Sequence, residues 1–169
     1  MKESILGQIL PVSFADIGRL IWQIRYNERY EGAPLLVLNS KIPNIENISR
    51  TDPQFFMSVY PYALREVFRY MFYFSVIGSV DDPLADWQRD WIEFGKTILN
   101  GKNPPKADPT DFDNYDDFED WIDGVIKEFC NSTSEWDKYI EQLSDSTNNC
   151  LPRPNGEKHK VAKNAKPQN

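Results

Sequence analysis

Eight carboxylates fall within sixteen residues of this chain, with no positive charge among them: Asp108, Asp111, Asp113, Asp116, Asp117, Glu119, Asp120 and Asp123. Such a run can hold a divalent cation, dock a basic surface, imitate a nucleic acid, or simply solvate the start of a helix. Read as a calcium loop with Asp111 and Asp113 at positions one and three, position six is Asp116 and position twelve is Ile122. The Gly and Glu that such a loop needs there are both missing. A magnesium-dependent helical hydrolase would instead place carboxylates at i, i+3 on two neighbouring helices. Asp90 with Glu93, and Asp117 with Asp120, have that spacing. At about 100° per residue, however, Asp116, Asp120 and Asp123 lie opposite the apolar stripe of Phe118, Val125 and Phe129 and point to water. No metal site or cofactor is expected.

Nucleophilic chemistry finds little to work with. The single histidine, His159, lies in a polar tail, so neither Ser nor Cys has an imidazole partner inside the fold. Cys130 sits near a helix C-terminus, where the dipole raises a thiol pKa, and Cys150 precedes Leu151-Pro152. Gly95-Lys96-Thr97 resembles the end of a phosphate-binding loop, but the upstream glycine position is Asp90 and the tripeptide lies within a helical pattern. Catalytic residues are not expected.

Aromatics interleaved with arginines form the second constellation. Trp22, Tyr26 and Tyr30 recur at i, i+4, i+8, about 180° from the stripe of Ile17, Ile21 and Ile24, with Arg19 and Arg29 between them. Trp, Tyr and Arg together build protein-interface hot spots and also stack on single-stranded bases. The alternative is a sandwiched helix whose two faces are both internal. Arg65 and Arg69, one turn apart on the most apolar helix, require carboxylate partners, with Glu66 or the acids of residues 82–93 as candidates.

The elements that would position these groups follow from periodicity and punctuation. Ser13 with Asp16 reads as a capping box opening a first helix to about Tyr30, ended by Gly32 and Pro34. Leu35–Leu38 is either a short strand or an extended packed segment, there being no second convincing strand to pair with it. Residues 39–51 read as a loop. Asp52-Pro53 opens a short helix that breaks near Tyr60, where Pro61 opens the next, nearly surrounded by core up to about Ile77. Asp82-Pro83 begins a helix with the stripe Leu84, Trp87, Trp91, Phe94 and Ile98, stopped by Asn100-Gly101. After a linker of residues 102–113, Asn114 begins a helix burying Phe118, Trp121, Ile122, Val125, Ile126 and Phe129. Ser132 with Glu135 caps a last helix to about Leu143. The sum is an all-α fold: a single-domain bundle of five to six helices over residues 1–145, with a disordered basic tail of residues 146–169.

With 169 residues, 40% hydrophobic and 14% aromatic, the chain can bury a core. Its formal charge of −7 is split: residues from 151 onward carry +4, leaving −11 on residues 1–150. A body so acidic repels phosphate backbones and attracts basic partners. No apolar leader follows Met1-Lys2-Glu3, and two cysteines make no disulfide framework, so a cytoplasmic protein with reduced thiols is expected. The most apolar stretch, Val67 to Val80, contains Arg69 and falls short of the roughly 20 residues that cross a bilayer. The expected function is a non-enzymatic interaction protein, an adaptor, an inhibitor or immunity-type protein, or a small complex subunit, that binds a basic protein through Arg19, Trp22, Tyr26, Arg29 and Tyr30 or through Asp116, Asp120 and Asp123. Two alternatives stand beside it. One is a nucleoprotein subunit reaching RNA or DNA through Arg19, Arg29 and the tail; the other is the magnesium-dependent nucleotide hydrolase.

Overall fold

A period of two, not of 3.6, governs residues 12–15, 22–27 and 33–39. The computed structural model describes residues 2–27, 32–72, 84–105 and 114–150, and in it these segments form a three-stranded mixed sheet rather than a helix. After helix α1 (Lys2–Ile9) come β1 (Val12–Ala15), β2 (Trp22–Asn27) and β3 (Ala33–Asn39). Their order in the sheet is β1-β3-β2, with β1 parallel and β2 antiparallel to the central β3. The all-α expectation is therefore wrong, and the fold is α+β. Ser13 is no helix cap; it lies opposite Val37 in the ladder. Leu35–Leu38 does form a strand, and it finds two partners.

Register assigns the faces. Phe14, Leu36, Leu38, Trp22 and Ile24 share the face turned to the core, while Val12, opposite Leu36 at the start of β1, stays exposed. Leu36 and Leu38 are fully buried. The β1-to-β2 connection, residues 16–21, crosses the end of β3 to reach the far edge.

Helix α2 (Ile45–Thr51) occupies part of what reads as a loop, its start at Asn44 taking a left-handed φ of 59°. Helix α3 (Pro53–Tyr70) opens as its sequence indicates: the Asp52 carboxylate accepts from the Phe55 N–H at 3.0 Å, and Pro53 takes the first turn. Pro61 does not break it. A proline within a helix costs about 3 kcal/mol, but Pro61 is itself buried alongside Val59, Ala63, Leu64, Val67 and Phe68, and the helix continues to Tyr70.

Helix α4 (Asp86–Ile98) buries Trp91, Phe94 and Ile98 and ends at Asn100 and Gly101, whose φ values are 54° and 91°. The Gly101 N–H reaches back to the Lys96 carbonyl at 2.7 Å. Helix α5 (Asn114–Ser132) buries all six residues of its expected stripe. Helix α6 (Glu135–Cys150) runs past Leu143, and Ser132, expected as its cap, is instead the last residue of α5. The Thr133 hydroxyl accepts from the Glu135 N–H, while the Ser132 hydroxyl donates to the Phe129 carbonyl.

The core centres on aromatics of α3, α4 and α5. Phe68 meets Trp91 and Trp121 edge to face at centroid distances of 5.1 and 5.4 Å. Both indoles are buried with their donors satisfied, Trp91 Nε1 by the Ile9 carbonyl and Trp121 Nε1 by the Lys102 carbonyl. The first of these bonds ties α1 to α4. No helix among the described residues is long and apolar enough to cross a membrane.

Candidate functional site

The connection from Asp16 to Ile21 is a built loop. Asp16 accepts from the Gly18 N–H at 2.9 Å and pairs with Lys41 at 2.8 Å, and Gly18 has a φ of 69°, which its missing Cβ permits. Both contacts, with Lys41 first, hold the Asp16 carboxyl below the usual carboxylate range. Beneath the loop, at the end of β3, Asn39 is buried and makes three side-chain bonds. Its Nδ2 donates to the carbonyls of Gly18 at 3.1 Å and Leu20 at 2.7 Å, and its Oδ1 accepts from the Lys41 N–H at 3.0 Å. An amide is the one side chain that can serve two carbonyls and one N–H here. The Asn39 N–H adds a backbone bond to the Ile21 carbonyl.

What the loop presents is apolar. Leu20 is 54% and Ile21 57% exposed, with Arg19 exposed beside them. Ile21 and Trp22 then form one wall of a cleft of about 250 Å³, closed by Ile48 of α2 and by Phe55 and Val59 of α3, with Asp52 at the junction of those helices. One oxygen of Asp52 is committed to the α3 cap. A second recess of about 230 Å³ shares Asp52 and is lined by Arg50, Phe56, Tyr60 and Glu135. Phe56 and Tyr60 stack at 4.6 Å, and burial raises the Tyr60 phenol pKa although Arg50 opposes it. The cleft offers a ligand shape and apolar surface more than proton transfer.

Arg19, Trp22 and Tyr26 do not share a helix face, because Arg19 belongs to a loop and Trp22 and Tyr26 to β2. Trp22 lines the cleft, and Arg19 is exposed in the loop that precedes it. Tyr26 turns inward, stacked on Tyr70 at 3.6 Å and tilted against Trp87 at 6.4 Å. Burial first, then the charge of Glu66, raises its phenol pKa strongly. Among the described residues its hydroxyl has no hydrogen-bond partner. Arg29 and Tyr30 lie outside the described residues, as do Asp108, Asp111, Asp113 and the basic tail from residue 151.

On α5, Asp116 and Asp120 are exposed as expected. Asp123 is exposed as well but pairs with Arg65, and Glu119 takes Arg69 in a fork, Nε to Oε1 at 3.0 Å and Nη2 to Oε2 at 2.8 Å. Among the described residues, the carboxylates that pair with Arg65 and Arg69 come from α5 rather than from Glu66 or α4, and Asp82 lies outside the described residues. Glu93 pairs with Lys96 at 2.6 Å, and among the described residues no three His, Cys, Asp or Glu converge to hold a metal ion. Cys130 is half-buried, and burial raises its thiol pKa.

Sequence reasoning missed Leu20 and Ile21, which it assigned to a buried stripe, and Asn39, Ile48 and Phe55, which it assigned no role. The available signal was Asp16-Ile-Gly18, an Asx turn with glycine two residues on, which marks a loop inside the supposed helix. Compared with protein-family models, curated proteins and solved structures, the chain matches none of them.

Proposed function

We propose that this chain acts by binding a basic protein partner, docking a short segment of it on the Arg19–Trp22 loop and in the adjoining cleft. One observation carries the reading: a loop held by a buried asparagine exposes Leu20 and Ile21, and Ile21 forms a wall of an apolar cleft. Exposed apolar surface costs solubility, and a rigid display of it reduces the entropy lost on docking. A volume of about 250 Å³ suits one or two bulky side chains rather than an extended small-molecule substrate. The charge of −11 on residues 1–150 favours a partner with basic residues flanking that anchor, because opposite charge speeds encounter.

Panning a random peptide library on the full chain tests this. The expected selectants share an apolar anchor beside Lys or Arg, and they lose binding by about tenfold or more on Ile21→Asp, a change at an exposed position that leaves the circular dichroism unaltered. Selectants indifferent to Ile21→Asp and to Phe55→Ala would remove the cleft from the proposal.

A further inference from the structure

Helix α6 carries a second exposed apolar row. Trp136 is 47% and Ile140 41% exposed one turn apart, and Leu143, 42% exposed, continues the row. At helical spacing these three fall within about 60° of one another. Toward the body of the protein lie Glu135 and Tyr139, both half-buried, and α6 packs against α3 and α5. On the opposite flank Asp137, Glu141 and Asp145 recur at i, i+4, i+8, all exposed. The nearest base on this helix, Lys138, pairs with Glu135 at 2.6 Å on the other side of the row. The face is thus a large apolar seam bordered by a line of negative charge with no cation of α6 in ion pairs with it.

Charge decides which occupant fits. A second copy of α6 would bring its own acids against these, and like charges alongside an interhelical seam oppose pairing. An anionic membrane surface is repelled for the same reason. We infer that the α6 face binds an amphipathic helix of another protein, one whose apolar stripe covers Trp136 and Ile140 and whose flanking Lys or Arg residues meet Asp137, Glu141 and Asp145. This surface is separate from the loop and cleft, and either can fail without the other.

The test titrates the full chain into a fluorescently labelled synthetic helix of about 15 residues, roughly four turns, with a Leu seam and Lys flanks. A control peptide carries Glu in place of Lys. The expected result is binding of the Lys peptide, about tenfold or more weaker for the Glu peptide. Ile140→Ser weakens it at every salt concentration. The combined Asp137→Asn, Glu141→Gln and Asp145→Asn variant weakens it mainly at low salt and flattens its salt dependence. Ile21→Asp leaves it unchanged, which separates this surface from the cleft. All substituted positions are exposed, and helix content by circular dichroism checks each fold. The inference is overturned if the α6 variants bind the Lys peptide as wild type does, if both peptides bind equally, or if neither binds. It is also overturned if the chain sediments with anionic vesicles through this face, or if the full chain dimerises and Ile140→Ser abolishes the dimer.

Discussion

Replacing a mid-helix glycine by alanine ordinarily stabilises a helix by about 1 kcal/mol; at Gly95 the sign is expected to reverse. Gly95 is buried within α4, and a Cβ built on it would run into the Trp121 ring, with Cζ2 at 2.9 Å and another ring atom closer still. The indole cannot step aside cheaply. Its Nε1 is bonded to the Lys102 carbonyl at 3.1 Å, and Phe68 and Phe72 stand edge-on to it at 5.4 and 5.7 Å. Overpacking of this kind costs about 1–3 kcal/mol or somewhat more, so Gly95→Ala should lose on the order of 1–2 kcal/mol after the propensity gain. For a chain of this length that lowers the melting temperature by about 2–8 °C. Gly124 on α5 is the internal control, since its Cβ would touch only Leu99 at 3.5 Å, an ordinary contact. Urea unfolding followed by circular dichroism should therefore show Gly124→Ala neutral or stabilised and Gly95→Ala destabilised. Trp121→Phe vacates the contested space, so the double variant with Gly95→Ala should be more stable than the two single effects added, by about 0.5–3 kcal/mol. If Gly95→Ala matches Gly124→Ala, or if the double variant is strictly additive, the close approach of α4 to Trp121 is not as described.

Two further outcomes follow from the same structure. Asn39→Asp replaces the donor facing the Gly18 and Leu20 carbonyls with an acceptor, leaving two carbonyls and a carboxylate opposed. Stability should fall by about 1–3 kcal/mol, and hydrogen exchange should accelerate selectively in residues 16–21; unchanged exchange there would show that the loop does not depend on Asn39. At high pH, Tyr26 and Tyr60 should oppose ionisation. Burial penalises both phenolates, so their folded pKa values lie above the 10.0 of an unperturbed phenol. Their contribution is complete below about pH 10 and is lost as pH rises beyond it, because the unfolded chain ionises first. Phenolate absorbance should thus show Tyr26 and Tyr60 ionising later than an unperturbed phenol, and Tyr26→Phe should lessen the alkaline loss of stability.

Why the sheet hid in the sequence can be traced to particular residues. Positions 22 and 26 share a face both in a helix, where they are about 40° apart, and in a strand of period two. Ile24 separates the two cases: it opposes Trp22 in a helix and joins it in a strand, as it does here on the core face. Ile17, Leu20 and Ile21 completed a helical stripe by coincidence, being loop residues. By contrast, α5 was legible to the last buried residue, because a stripe of six large apolar groups over three turns fits no strand. The Asp52-Pro53 start of α3 was legible too, since both halves of that signal act locally. The cleft was not, because Ile21, Ile48 and Phe55 come from three elements whose meeting depends on the crossover over β3.

Arg65 and Arg69 illustrate the same limit in charge. Their need for carboxylates is visible in sequence, but Glu119 lies fifty residues beyond Arg69 and only the packing of α3 against α5 supplies it. The pairing changes what the acidic run can do. Glu119 and Asp123 are drawn into a clamp between two helices, where partly exposed ion pairs contribute about 0–1 kcal/mol each, with the forked Arg69 pair at the stronger end. Asp116 and Asp120 remain outward and form no ion pair with a described residue. Neutralising Asp123 would therefore disturb the clamp as well as any docked partner, whereas neutralising Asp120 removes long-range attraction and neutralising Asp116 also removes about 0.3–1 kcal/mol of favourable charge from the first turn of α5. The proposed basic partner should lose association rate when Asp116 and Asp120 are neutralised, while its dissociation rate should stay set by the apolar surfaces it would bury.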